Sequence, residues 1–215
     1  MMVFAFTTDA GQNQEKNEDA FGYVDEELFL VADGLGGLPA GEVAAQAAAE
    51  KAIETYEETK NLKRAFELAN HEVYRQSREK ADYFGMATTL VGVVIEGKKA
   101  TFANVGDSRA YLLQSNSLNQ ITLDHGLGGG IVTRVLGIKP EVRIDIFKVE
   151  LKPGDLILLC TDGFYQSLPD EEILKILTKT GKTKKALKIK AKELVKAAIQ
   201  AGGMDNVTVC LLKIS

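Results

Sequence analysis

The sequence predicts an α+β fold, a four-layer αββα sandwich of two mainly antiparallel sheets packed face to face, with a helix pair covering each from outside. Three observations predict it. The hydrophobic period switches repeatedly between two and about 3.6 residues, which separates strands from helices. The elements run as strands, a helix pair, many strands, a second helix pair and a final strand. Consecutive strands are joined by short turns, which suit antiparallel neighbours, whereas parallel ones need long crossovers.

Strand-like runs cover residues 3–8 and 28–32, and a further strand follows Asp19. Helical periodicity then covers 40–58, rich in alanine, and 62–82, where Leu62, Ala65, Phe66, Ala69 and Val73 form one stripe. Strands return at 89–95, 100–105, 110–113, 144–149 and 156–160. Ser167-Leu-Pro-Asp170 opens another helix, with acidic residues 170–172 facing the positive end of its dipole. Leu187, Ala191, Leu194, Val195 and Ala198 stripe the last helix, Gly202-Gly203 ends it, and a strand closes the chain at 207–212.

At 215 residues, 45% hydrophobic and 26% charged, the chain suits one domain, 1–215, with a substantial core. A net charge of -4 and a pI near 5.4 argue against a nucleic-acid partner, and the lysine-rich run at 182–192 reads as the wet side of a helix. The opening residues lack a basic, cleavable leader and no apolar run approaches the ~18 residues of a membrane span, so a cytoplasmic protein without a membrane partner is expected. Cys160 and Cys210 sit in strand-like runs and read as reduced, buried thiols. With two cysteines and two histidines, any metal must be held by oxygen.

Taken alone, Asp33-Gly34 and Asp162-Gly163 are turn signals. Together with Asp205 they form a constellation: Asp33 ends F-L-V-A, Asp162 ends L-I-L-L-C-T, and Asp205-Asn206 opens V-T-V-C-L-L. Charge at the tip of a buried strand is costly unless a cation compensates it. Asp19, in N-E-D-A-F before another strand, can join them. Hard ions such as Mg²⁺ and Mn²⁺ take carboxylates, carbonyls and water, and the backbone of Gly34 is free to approach one closely. Two such ions can bridge a water, lower its pKa and hold both oxygens of an in-line phosphoryl displacement.

Six motifs carry a resemblance to a known family: T-D-A-G-Q-N-Q-E-K-N-E-D-A (8–20), V-A-D-G-L-G-G-L-P-A-G-E-V-A (31–44), M-A-T-T-L-V (86–91), A-N-V-G-D-S-R-A-Y (103–111), L-L-C-T-D-G-F (158–164) and M-D-N-V-T-V (204–209). In this order, over nearly the whole chain, they resemble the metal-dependent serine/threonine protein phosphatases of type 2C. The resemblance implies a single catalytic domain of the four-layer fold that hydrolyses phosphoserine and phosphothreonine in proteins through a metal-bridged water, with two Mn²⁺ or Mg²⁺ ions. It also implies a phosphoprotein substrate and a cognate serine/threonine kinase as partners. Carried over, Asp33 is similar to the bridging ligand and Gly34 to the carbonyl donor of the first ion. Asp162 and Asp205 are similar to ligands of the second, and Asp19 to a group acting near or through bound water. Asp33 and Asp162 are then the catalytic pair. Asp107 is similar to the residue that, with Asp162, holds a weaker third ion; read from the residues alone, it can equally close a strand turn and pair with Arg109.

The pattern also breaks. Where the family usually has a phosphate-gripping arginine, this chain has Gln14, an uncharged amide. Leu38 stands where bacterial members commonly carry histidine, and G-L-G-G-G (126–130) replaces the usual flap, which leaves an open cleft. Gln166 replaces a common Asp or Glu near the third-ion position. His125 reads either as a polar cap or as a replacement acid, and His71 has no motif around it. Retention of every core carboxylate favours an enzyme. Gln14 and the shortened flap favour the alternative, a catalytically weak module that binds phosphoproteins or partners as a sensor or scaffold.

Overall fold

The structure is a computed structural model that describes residues 2–127, 130–178, 180–181 and 183–215. Among these, β1 (Val3–Asp9), β2 (Asp19–Val24) and β3 (Leu28–Asp33) precede the helices α1 (Gly41–Thr59) and α2 (Leu62–Glu79). Then come β4 (Leu90–Glu96), β5 (Lys99–Val105), β6 (Arg109–Gln114), β7 (Ser117–Gln120), β8 (Asp145–Glu150) and β9 (Leu156–Cys160). The chain continues through α3 (Asp162–Tyr165), α4 (Asp170–Leu177), α5 (Lys184–Gln200) and β10 (Val207–Lys213).

The strands form two five-stranded sheets, ordered β1-β10-β9-β6-β7 and β2-β3-β4-β5-β8, with antiparallel pairing throughout. Period-two alternation divides each central strand between two cores. In β3, Leu28, Leu30 and Ala32 pack under α1 and α2, while Phe29 and Val31 face the other sheet. In β9, Leu156, Leu158 and Cys160 pack under α4 and α5, while Ile157 and Leu159 face inward. The αββα expectation is met. Cys160 and Cys210 are free and buried, and they face opposite sides of their sheet.

The alanines of α1, buried at 44, 45, 48, 49 and 52, let this helix lie close to its sheet and to α2. Asn61 caps α2 by accepting from the Arg64 N–H, and Thr183 caps α5 by accepting from the Ala186 N–H. The Gly203 N–H closes the end of α5 on the Ala198 carbonyl. The first turn of α4 carries Asp170, Glu171 and Glu172. No helix among the described residues is long and apolar enough to cross a membrane.

Three details differ from the sequence reading. Helix α2 stops at Glu79 instead of 82, because its buried stripe ends at Ser77 and Lys80 turns extended before a 3₁₀ turn at Ala81–Tyr83. Strand β7 escaped notice because Ser-Leu-Asn-Gln holds one apolar residue; it exists by pairing with β6 through a tight turn with positive φ at Ser115 and Asn116. The single-turn α3 is too short to show a period. Within the shortened flap, Gly126 bridges Val132, while 128–129 lie outside the described residues.

Phe102 is fully buried between the sheets. Phe102→Ala is expected to lower unfolding free energy by about 3–5 kcal/mol, measured by urea denaturation.

Candidate active site

Strand parity puts two carboxylates where the inter-sheet core would otherwise continue. Asp33 has the same parity as Phe29 and Val31, and Asp19 is its direct cross-strand partner on β2. Like charges in that register repel. Asp162 follows β9 at the start of α3, and Asp205 precedes β10, the neighbour of β9. These strand ends open into a cleft of about 430 Å³ lined by Gln14, Glu18, Asp33, Gly34, Asp107, Asp162 and Asp205, with no lysine or arginine among its lining residues. A larger cavity of about 540 Å³ beside α2 holds Arg64, Glu67, His71 and Glu141 in mixed charge, without such a convergence of carboxylates.

Close backbone approach brings the strand ends together. A Cβ on Gly34 would lie 2.3 Å from the Gly41 carbonyl oxygen, and one on Gly163 would lie 2.2 Å from that of Asn206. Glycine in the D-G motifs therefore has a packing role beyond leaving a carbonyl accessible. The buried Asn206 ties the first loop down: its Oδ1 accepts from the Glu18 N–H (2.7 Å), and its Nδ2 donates to the carbonyls of Ala10 (2.9 Å) and Lys16 (3.0 Å). Thr89 and Thr88 hold the backbone of Asp33. The Thr89 Oγ1 accepts from the Asp33 N–H (3.1 Å), and the Thr88 hydroxyl donates to the Asp33 carbonyl (2.7 Å). The Thr161 Oγ1 accepts from the Thr208 N–H (3.0 Å), so its proton is free for Asp19 Oδ2, also 3.0 Å away.

Those bonds leave particular oxygens empty-handed. Asp19 Oδ1 and Glu18 Oε2 are buried without a hydrogen-bond partner. Burial, then the neighbouring Asp162 and Asp205, pushes the Asp19 carboxyl up to about 7, against hydrogen bonds from Thr208 and Thr161 that oppose the rise. Asp33 is held well above the ordinary carboxylate range by burial and by Asp19, Asp162, Asp107 and Asp205. Asp162 is likewise raised, by burial and by Asp205. Retained protons are thus how the ion-free cluster relieves its repulsion. Burial also raises Glu18, with Glu42 and Asp205 adding to it, and raises Asp107 to about 6.

A divalent cation fits this donor set, because it would replace the protons and satisfy the orphaned oxygens. Among the described residues no three His, Cys, Asp or Glu side chains already converge as a ligand shell. Amides instead hold two of the carboxylates: the Gln14 Nε2 donates to Asp205 (3.0 Å) and the Gln166 Nε2 to Asp162 (2.7 Å).

Asp19, Asp33, Gly34, Asp107, Asp162, Asp205 and Gln14 all fall in or directly beneath the cleft. The pairing of Asp107 with Arg109 is corrected. Arg109 bonds both oxygens of Asp124, donates to the Tyr111 hydroxyl and stacks on Tyr165, so it is spent elsewhere. His125 is a buried cap: its Nδ1 accepts from the Gly106 N–H (3.0 Å), its Nε2 meets Asp145 (3.0 Å), and burial lowers its pKa. Neither nitrogen is left for an acid's task. Glu18, Asn206 and Thr161 were missed by the sequence reading. The N-E-D string contained Glu18, but only its orphaned oxygen distinguishes it from surface acid.

The protein phosphatase 2C family profile matches residues 8–197. The chain is 34% identical to a serine/threonine phosphatase stp of Listeria monocytogenes, over 97% of this chain and 94% of the relative. It is 30% identical to protein phosphatase PhpP of Streptococcus pneumoniae, over 100% and 98%. Both matched spans, 241 and 246 positions, exceed the 215 residues here, so these relatives carry insertions that this chain lacks. Its fold matches the crystal structure of the catalytic domain of serine threonine protein phosphatase PstP in complex with 2 manganese ions, with a TM-score of 0.87 and 30% identity over 100% of this chain and 99% of that one. With motif order, fold and cleft all in agreement, the chain belongs to the protein phosphatase 2C family.

Proposed function

We propose that the cleft hydrolyses phosphoserine and phosphothreonine in proteins with divalent metal ions, and that residues 1–215 act as one catalytic domain. The observation that carries this reading is the concentration of desolvated carboxylates with unpartnered oxygens at a cleft that, among the described residues, has no cationic side chain. The two manganese ions of the PstP relative support the ion count, with Mn²⁺ or Mg²⁺ as the candidates.

Asp33 would serve as the shared ligand of the ions, and the Gly34 carbonyl would be a further donor. Asp162 and Asp205 would hold the second ion once Gln166 and Gln14 release them. Bound there, the ions supply the charge that lowers the pKa of a water and balances the phosphoryl oxygens. Asp19, with Oδ2 anchored by Thr161, keeps Oδ1 to accept a proton from water, and Glu18 Oε2 can do the same. Gln14 would donate its amide to a phosphoryl oxygen, a weaker grip than a charged fork. Asp107, buried beside Asp162, is the candidate for a weaker third ion. The carboxylate set supports turnover rather than a sensor or scaffold role. A phosphorylated protein substrate, a cognate kinase and a cytoplasmic setting complete the proposal.

Asp33→Asn is expected to cut metal-dependent release of phosphate from a phosphothreonine peptide at least a hundredfold, and to abolish the rise in melting temperature with Mn²⁺; retained turnover would remove Asp33 from the bridging position. In the wild type, Mn²⁺ at a hundred times its dissociation constant should add about 2.7 kcal/mol of stability.

Asp19 and Asp107 titrate near 7 and 6 when folded, above their ordinary 3.8. The folded, ion-free protein therefore holds extra protons in that window, and its stability is lost as pH rises through it. Ion-free protein should melt higher at pH 5 than at pH 8, whereas saturating Mn²⁺, which competes with those protons, should reverse the order. Scanning fluorimetry at both pH values checks this, and an unchanged order with Mn²⁺ would place the ions elsewhere.

A further inference from the structure

The cleft poses a recognition problem. A phosphorylated residue carries about -1.5 to -2 charges, yet the cleft lining is acidic and, among the described residues, contains no lysine or arginine. Beyond the charge that bound ions would supply, a run of cations stands on α5. Lys185, Lys188, Lys192 and Lys196, spaced three, four and four residues apart, form one solvent-facing stripe opposite the buried Leu187, Leu194 and Ala198. In a chain of net charge -4 these four are exposed, and none has an acidic partner within ion-pair distance among the described residues. Glu193, the single acidic residue of α5, is taken by Lys190.

The helix that bears the stripe is tied to a loop that lines the cleft. The C-terminal end of α5 touches the first loop, where the Gln12 Nε2 donates to the Ile199 carbonyl (2.8 Å) and the Gln12 N–H to that of Gly203. That same loop presents Gln14 to Asp205. Lys196 lies about one helical turn from this junction, and Lys185 about 16 Å further along, a span that an extended peptide covers in roughly five residues.

We propose that the lysine stripe of α5 is a docking track for an acidic segment flanking the phosphorylated residue of the protein substrate. This rests on the cleft being the phosphatase site. Opposite charge at the rim would draw the substrate in and lower KM without touching the chemistry.

The test uses two phosphothreonine peptides with the same core, one extended on each flank by glutamates and one by glutamines. Two variants with equal net charge are compared with wild type: Lys185, Lys188, Lys192 and Lys196→Gln, and, as control, Lys98, Lys99, Lys139 and Lys148→Gln. Wild type and control should prefer the glutamate peptide by about tenfold in kcat/KM, through KM and less so at high salt, and the α5 variant should lose the preference. Turnover of p-nitrophenyl phosphate should be equal in all three; its absence in all three would strike at the cleft assignment rather than at the track. A preference missing from wild type, kept in the α5 variant or equally lost in the control overturns the proposal. Ile189, 56% exposed among these lysines, makes an anionic bilayer the rival occupant. Binding to phosphatidylserine vesicles lost in the α5 variant while the peptide preference survives would assign the stripe to lipid.

Discussion

Repulsion among carboxylates crowded at one end of a sheet sandwich is the constraint on which the rest of the structure depends. Asp19 and Asp33 face each other across β2 and β3, and Asp162 joins them from the start of α3, just beyond β9. Desolvation and mutual repulsion act in the same direction, and together they keep protons on groups that would be ionised in water. Such an arrangement survives in a marginally stable fold only because the apolar remainder is large: three cores, one between the sheets and one under each helix layer. The strain on the cleft is also its capacity, since a divalent cation removes both sources of it.

Surrounding polar groups convert a repulsive cluster into an ordered one. Thr88, Thr89 and Thr161 are buried, and their hydroxyls spend their bonds on Asp33 and Asp19 or on the backbone beside them. Asn206 stitches the loop carrying Gln14 and Glu18 to the start of β10 through three hydrogen bonds. Each of these groups is satisfied, so the loops bearing the carboxylates are held from behind while Asp19 Oδ1 and Glu18 Oε2 keep no partner. The same loop meets the end of α5, which makes the charge on that helix part of the cleft's surroundings.

The departures from the family pattern become physically specific in the structure. Gln14 and Gln166 are not empty replacements: each donates an amide hydrogen to a cleft carboxylate, partly doing for the ion-free protein what a cation does more strongly. His125, which the sequence reads either as a polar cap or as a replacement acid, is the cap, consumed by the backbone of Gly106 and by Asp145. Arg109, although it follows Asp107 closely, belongs to Asp124 and Tyr165.

By itself the sequence determined the layers and the clustering of chemistry. Period-two and period-3.6 runs reveal which faces must be buried, and D-G and D-N strings at the ends of apolar runs reveal where charge meets core. That was enough to name Asp19, Asp33, Asp162 and Asp205. Tertiary structure alone decided which polar groups are left unsatisfied, because satisfaction depends on partners far away in the chain. Glu18 is distinguished by an oxygen with no partner, Asn206 by bonds to residues nearly two hundred positions away, and Thr161 by a hydroxyl that reaches Asp19 across 142 positions. Local pattern reports burial, which is a property of one segment; hydrogen-bond completion and charge proximity are properties of pairs, and they exist only after the sheets have closed on each other.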